Sequence, residues 1–150
     1  MKKKVLALIL VCAALVSTTA FASESTKAIL ASYLQIHAAL SADKTDGVKP
    51  AAQAIAVEAA RMGAGGEAMV NAAKAMESAG SLKAARAALG PLSDAIIAAA
   101  AADDWKDLAG VKIGFCPMVN KSWIQKDGKV NNPYYGSQML TCGELKDVKK

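Results

Sequence analysis

The sequence predicts an all-α fold, a small four-helix up-down bundle with an ordered, mostly non-helical tail, rich in cysteine and methionine, packed on it. Two observations predict this fold. Residues 25 to about 102 are rich in alanine and carry larger apolar side chains at helical spacing, with short turns between the periodic segments. After Asp104 the helical periodicity stops, and residues 105–150 contain both tryptophans, two of the three tyrosines and two of the four prolines. Such a long aromatic-rich segment indicates an ordered tail.

The N-terminus has the pattern of an export signal. Three lysines precede an apolar run of 12 residues, Val5 to Val16, and small residues at 20 and 22 predict cleavage after Ala22. The run is too short to span a bilayer. We therefore expect residues 1–22 to be a cleaved signal peptide, and residues 23–150 to be a single periplasmic domain with no membrane insertion after cleavage.

Removal of the signal also changes the charge of the chain. It leaves 15 Lys and Arg against 13 Asp and Glu, so the domain is almost neutral. Because no arginine cluster with interleaved aromatic residues remains, the composition argues against nucleic acid as a partner.

Three segments show the helical pattern clearly. In the first, Ile29, Tyr33, Ile36 and Leu40 share one face. A turn over residues 43–47 leads to a second helix, which starts at a proline and ends before GAGG at residues 63–66. The third is predicted from Glu67 to Ser78. Met62, Met69 and Met76 recur every seven residues, and we interpret them as core packing.

The fourth segment contains an internal proline. Ser81 is the expected N-cap, and Leu82, Leu89, Leu92 and Ile96 are expected to point inward. Because proline removes a backbone hydrogen bond and clashes with the preceding turn, Pro91 predicts a kink or two short helices.

The tail, with its characteristic residues at 111–145, shows weaker signals of secondary structure. VKIGF at residues 111–115 alternates like a short strand, and Asp127 with Gly128 predicts a tight hairpin turn. Residues 146–150 are expected to be a frayed, solvated end.

Two cysteine and methionine couples lie in this tail. Cys116 and Met118 are two apart in CPM, and Met139 and Cys142 are three apart in MLTC. Thiolate and thioether sulfurs are soft donors that select Cu(I), or Ag(I), whereas zinc rarely accepts methionine. If CPM is extended, its two sulfurs project to the same side, and residues three apart meet on one turn or a tight bend.

A disulfide is the alternative for the same cysteines. Two cysteines in an exported protein commonly pair, and closing the loop from residue 116 to 142 stabilises by roughly 3 to 4 kcal/mol on the chain-entropy model. Under this interpretation the protein is a structural or interaction module, or a thiol redox switch, and both methionines fill the core. The spacing alone leaves these alternatives open.

Enzyme chemistry finds little support in the sequence. The chain has one histidine, no nucleophile with an evident base, no glycine-rich phosphate loop after a strand and no CxxC motif. We therefore expect a binding protein.

The string CPM, followed by WIQKDGKVNNPYYGSQMLTCGE from Trp123 to Glu144, resembles a bacterial periplasmic domain-of-unknown-function family. That family occurs alone or fused to the C-terminal end of heavy-metal efflux periplasmic adaptors of the copper and silver type. The resemblance implies a helical bundle that bears the Cys/Met tail, a role in handling copper or a related metal, and an efflux adaptor or another copper-handling protein as partner. Many relatives have a histidine immediately before CPM, where this chain has Phe115.

His37 is the only histidine that can replace it. It lies beside the apolar stripe of the first helix, where a lone histidine is commonly a core or boundary residue. The predicted metal ligands are thus Cys116, Met118, Met139 and Cys142, with His37 as a weaker candidate.

Overall fold

The computed structural model describes residues 24–103, 105 and 110–148. The predicted signal peptide lies outside these residues. The described helices are α1 over residues 24–41, α2 (Val48–Arg61), α3 (Glu67–Glu77) and α4 (Leu82–Ala102), with short 3-10 helices at Gly63–Gly66 and Gly136–Gln138. The strands are β1 (Val111–Cys116), β2 (Lys121–Lys126) and β3 (Glu144–Asp147).

The all-α fold class is wrong, because the four helices are joined by a three-stranded antiparallel sheet of order β2-β1-β3. The alternation over residues 111–115 did indicate β1. The sequence does not predict the last strand because three of its four residues are exposed and charged, so it shows no apolar alternation. The segment expected to be a frayed end therefore begins within a paired strand.

The predicted hairpin turn at Asp127–Gly128 is also wrong. The strands β1 and β2 pair from Val111 with Lys126 to Cys116 with Lys121, so the hairpin loop is Pro117–Asn120. Asn120 takes the left-handed conformation (φ 51°), which asparagine tolerates better than most residues. The turn at residues 127–129 instead follows the end of β2.

The helices form the core as their periodicity predicts. The predicted inward residues of α1 are fully buried, and Met69 and Met76 of α3 are each 1% exposed, which confirms them as core residues. Ser81 caps α4 by accepting a hydrogen bond from the Ala84 N–H at 3.2 Å.

The proline in α4 does not divide the helix, so the prediction of two short helices is wrong. The helix is continuous over 21 residues with Pro91 inside it. Pro91 and the residue one turn earlier, Ala87, both lie on the exposed face, where water can satisfy the carbonyl that loses its N–H partner.

Within the described part of the chain, α4 is the one helix long and apolar enough to cross a membrane by length and composition. Leu89, Leu92 and Ile96 are fully buried. The apolar character of α4 is explained by its place in the core, where it packs against α3 and β2.

Two tyrosine hydroxyls bind the outer edge of β2, one from helix α1 of the bundle and one from the segment that follows β2. Tyr33 of α1 accepts a hydrogen bond from the Ile124 N–H at 3.2 Å, and its hydroxyl lies 2.6 Å from Ser93 Oγ of α4. Tyr134 donates to the carbonyl of Ser122. Backbone groups that an edge strand would leave unpaired are therefore satisfied by side chains.

Candidate metal centre

The sheet brings the two cysteines together. Because β3 pairs with β1 and Phe115 lies opposite Glu144, the chain just before β3 passes beside Cys116. There the Cys142 thiol lies close enough to Cys116 for each sulfur to shift the pKa of the other, and both cysteines are free. Residues 26 apart in sequence thus form one two-sulfur site, which depends on the strand that the sequence did not reveal.

The hairpin loop after β1 presents backbone donors to the Cys116 sulfur. The N–H groups of Met118 and Val119 lie near it and lower the pKa of its thiol. Cys116 itself is fully buried. Backbone N–H groups directed at a buried sulfur favour its anionic form, which is the form that binds metals.

Asn132 connects the two cysteine segments. Its side chain donates from Nδ2 to the Cys142 carbonyl at 2.8 Å, and it also lies close enough to the Cys116 sulfur to lower the pKa of that thiol. Its Oδ1 accepts the Tyr134 N–H at 2.9 Å, and its own N–H is bonded to the Leu140 carbonyl at 2.7 Å. Because Asn132 is fully buried, these bonds fix it between the two loops.

The two thiols differ in acidity. Burial raises the pKa of Cys116, but the donors from Val119, Asn132 and Met118 outweigh burial, so the pKa lies below its ordinary value. The pKa of Cys142 is raised, by desolvation and by the neighbouring Cys116 charge. Cys116 is therefore the more acidic of the two thiols.

The two methionines are close to the cysteines in sequence and have exposed side chains. Met118 is 61% exposed and Met139 is 36% exposed. CPM is not extended as the spacing argument assumed, because Pro117 and Met118 belong to the hairpin loop. MLTC does form the predicted bend, since the Cys142 N–H donates to the Met139 carbonyl at 3.0 Å. Each thioether is thus attached to a loop that also carries one of the thiols.

Trp123 packs on the same face of the sheet as Cys116. Its ring lies against Gly114, its partner across β1 and β2, where a Cβ would overlap the indole. It also reaches Gly143, and a Cβ there would lie 2.8 Å from Trp123 Cη2. The indole Nε1–H donates to Gln125 Oε1 at 2.9 Å. Fully buried, Trp123 is a packed anchor that supports the segment carrying Cys142.

His37 is joined to the tail through a backbone carbonyl. It is 7% exposed, and Nε2 lies 2.8 Å from the carbonyl oxygen of Asn131. Because a carbonyl can only accept, Nε2 carries the proton in the neutral ring. Burial lowers the pKa of His37, which favours this neutral form, although the Asn131 carbonyl opposes the shift.

His37 also lines a groove of about 810 Å³ between α1 and the segments around residues 125–131 and Leu140. Within the described ranges no three His, Cys, Asp or Glu side chains group closely enough to hold a metal ion. His37 and the two cysteines therefore do not form such a group here. Methionine is not among these four residue types. The site therefore has two thiols, with the two methionine sulfurs as further soft donors.

An ion pair attaches the NPYYGS segment to the bundle, and the sequence analysis missed it. Arg86 of α4 donates to Asp43 Oδ1 at 2.6 Å and to the Pro133 carbonyl at 2.8 Å. Asp43 also accepts the Ser137 N–H at 3.0 Å. The Ser137 and Arg86 hydrogen bonds lower the pKa of Asp43 to about 2.

Asn132 was also missed as a site residue, since its sequence neighbours indicate only a turn. A polar side chain at the start of NPYYG, between two cysteine segments, was the available signal. The two cysteines beside it, however, lie at least 10 residues away in the chain, so only the folded register identifies them.

Comparisons with protein-family models, with curated proteins and with solved structures found no match to this chain. The resemblance of its tail to the periplasmic domain family therefore rests on the CPM, NPYYG and MLTCGE residues themselves.

Proposed function

We propose that this chain is an exported soft-metal binding protein that sequesters or transfers Cu(I), or Ag(I), through cysteine and methionine sulfurs. One observation carries the proposal: Cys116 and Cys142 are free and close together, and the backbone N–H groups of Met118 and Val119 lower the pKa of the buried Cys116 thiol. The Cys/Met tail and its resemblance to a family that occurs fused to copper and silver efflux adaptors support the choice of metal.

The donor set favours a soft monovalent ion. Two thiolates with thioethers beside them suit Cu(I), which accepts two to four soft ligands without a rigid geometry. A structural zinc site ordinarily needs four cysteine or histidine ligands, and the described part of the chain does not group even three such residues. Cys116 and Cys142 are the core ligands of the proposed site, and Met118 and Met139 complete it.

The difference in exposure between the sulfurs suggests a path for transfer. Cys116 is fully buried, whereas Cys142 is partly exposed and both methionines are exposed. A partner that offers soft ligands, such as an efflux adaptor, therefore reaches Cys142 and the thioethers first. Exchange proceeds one sulfur at a time, and Cys116 releases the metal last.

Competition with a colorimetric Cu(I) chelator under reducing conditions tests the proposal. Mature protein is expected to bind about one Cu(I), and C116S/C142S is expected to lose this binding. M118L/M139L keeps the apolar bulk, and it is expected to weaken binding less than the double cysteine variant does. If the wild type competes no better than C116S/C142S, the metal proposal fails.

The contact between the free thiols also favours a second candidate function, a structural or redox disulfide. Closing the bond between Cys116 and Cys142 releases two protons and two electrons to a thiol oxidant such as a disulfide-carrying protein. Counting thiols on protein isolated from its own compartment separates the candidates. Two free thiols support the metal site, and no free thiol supports the structural disulfide. A redox switch requires the same pair to change between these states as the redox conditions change.

A further inference from the structure

We propose that Asn132 is the positioning residue of the two-sulfur site, holding Cys116 and Cys142 at the separation that lets both bind one ion. This inference deepens the proposed metal function and rests on it. No ligand role is assigned to Asn132, which acts through the cysteines.

The Asn132 side chain is close to both cysteine segments. Its amide has two N–H hydrogens, of which one is bonded to the Cys142 carbonyl at 2.8 Å, and the amide also lies close enough to the Cys116 sulfur to lower the pKa of that thiol. A single rigid group therefore touches both segments. Serine or threonine at this position is too short to span them, and aspartate has no donor.

Asn132 is itself held in place by its own hydrogen bonds. Its Oδ1 accepts the Tyr134 N–H, and its own N–H is bonded to the Leu140 carbonyl, two residues before Cys142. With the side chain fully buried, rotation would leave these polar groups without partners. The side chain thus holds the two segments that carry the sulfurs in fixed positions, as outer partners of metal ligands commonly do.

Its neighbour Asn131 provides a matched control. Asn131 is exposed, and it contacts His37 and Gln125 through its backbone carbonyl and N–H, which a substitution leaves in place. The same change made one residue earlier therefore spares the cysteines.

The experiment compares Asn132→Ser with Asn131→Ser by two readouts. The serine hydroxyl can still accept the Tyr134 N–H but cannot reach Cys142. In chelator competition, N132S is expected to lose Cu(I) affinity by about 10- to 100-fold, the usual effect of removing an outer partner, while N131S stays near wild type. In metal-free protein, N132S is expected to form the disulfide more slowly with the thiol oxidant diamide.

A destabilised variant distinguishes positioning from simple loss of stability. Ile55→Val removes a methyl group from the fully buried core of α2, so it is expected to lower the melting temperature without changing either readout. If N132S fails to fold by circular dichroism, Asn132→Asp, with Asn131→Asp as its control, preserves the side-chain shape and removes the donor.

The outcomes separate the two proposals. Folded N132S that matches the wild type in both affinity and diamide closure overturns the role of Asn132 and leaves the metal site standing. If the wild type binds Cu(I) no better than C116S/C142S, the metal function is overturned. The rates of disulfide formation with diamide in N132S and wild type then show whether Asn132 sets the distance between the thiols.

Discussion

Gly143 lies between Cys142 and the first residue of β3, and its backbone allows the chain to pass close to β1. Its φ of 129° lies in the region that favours glycine, and a Cβ would sit 2.7 Å from the Phe115 carbonyl oxygen and 2.8 Å from the Trp123 ring. Backbone and neighbours therefore both oppose a side chain at this position.

Gly143→Ala is accordingly expected to reduce the free energy of unfolding by more than the roughly 1–3 kcal/mol of backbone strain alone, measured by urea titration. Gly128→Ala is the control, since Gly128 has a similar φ of 141° with nothing within 4 Å of a new Cβ. Equal losses in the two variants would show that overlap at Gly143 contributes nothing.

Asp43 makes the stability of one connection between the bundle and the tail depend on pH. Its hydrogen bonds to Ser137 and Arg86 lower its pKa from 3.8 to about 2. The folded chain thus binds the proton less readily than the unfolded chain. The contribution of Asp43 to stability is complete above about pH 4 and is lost as the pH falls towards 2.

The Asp43→Asn variant is expected to be less stable than the wild type at neutral pH, with the difference shrinking as the pH falls to about 2. Unfolding by urea at a series of pH values measures it. Asp46→Asn alters an exposed carboxylate close by in the connection from α1 to α2, so it is expected to leave the profile almost unchanged. Profiles for D43N and wild type that stay parallel from pH 7 to 2 would contradict this account.

Among the elements, α1, α4 and β2 meet at one buried hydroxyl. Ser93 donates to the Leu89 carbonyl at 2.7 Å, so Tyr33 donates to Ser93 and accepts from Ile124. Burial raises the pKa of Tyr33 to about 12, which keeps the hydroxyl protonated.

Tyr33→Phe leaves the Ile124 N–H without its acceptor inside the protein. It is expected to cost about 1–3 kcal/mol in the free energy of unfolding. Tyr135→Phe is the control because Tyr135 is only partly buried, and a change within about 0.5 kcal/mol is expected there. If Y33F unfolds at the same denaturant concentration as Y135F, the hydroxyl does not join the sheet to the bundle.

The elements also show what the sequence reveals and what it conceals. Ile29, Tyr33 and Ile36 repeat at helical spacing, so their burial followed directly from the pattern. The strand β3 has one apolar residue, Leu145, and its pairing is determined by backbone contacts with β1 that no local pattern encodes. The contact between the two thiols depends on that pairing, so their residue types were predictable and the geometry around them was not.

For the whole molecule, a helical bundle supports a small sheet whose two cysteine-bearing loops converge. Tyr33 and Arg86 fasten the tail to the bundle, Tyr134 fastens the NPYYG segment to β2, and Asn132 fastens that segment to Cys142. The bundle therefore acts as the scaffold for a site in which Cys116 is buried and Cys142 is partly exposed.

The most direct test of this account is a metal analysis of protein purified from copper-fed cells, with thiols counted on the same sample after the metal is removed. The account predicts about one copper per chain and two titratable thiols, Cys116 and Cys142. Copper-free protein with no titratable thiol would contradict it and would establish the disulfide instead.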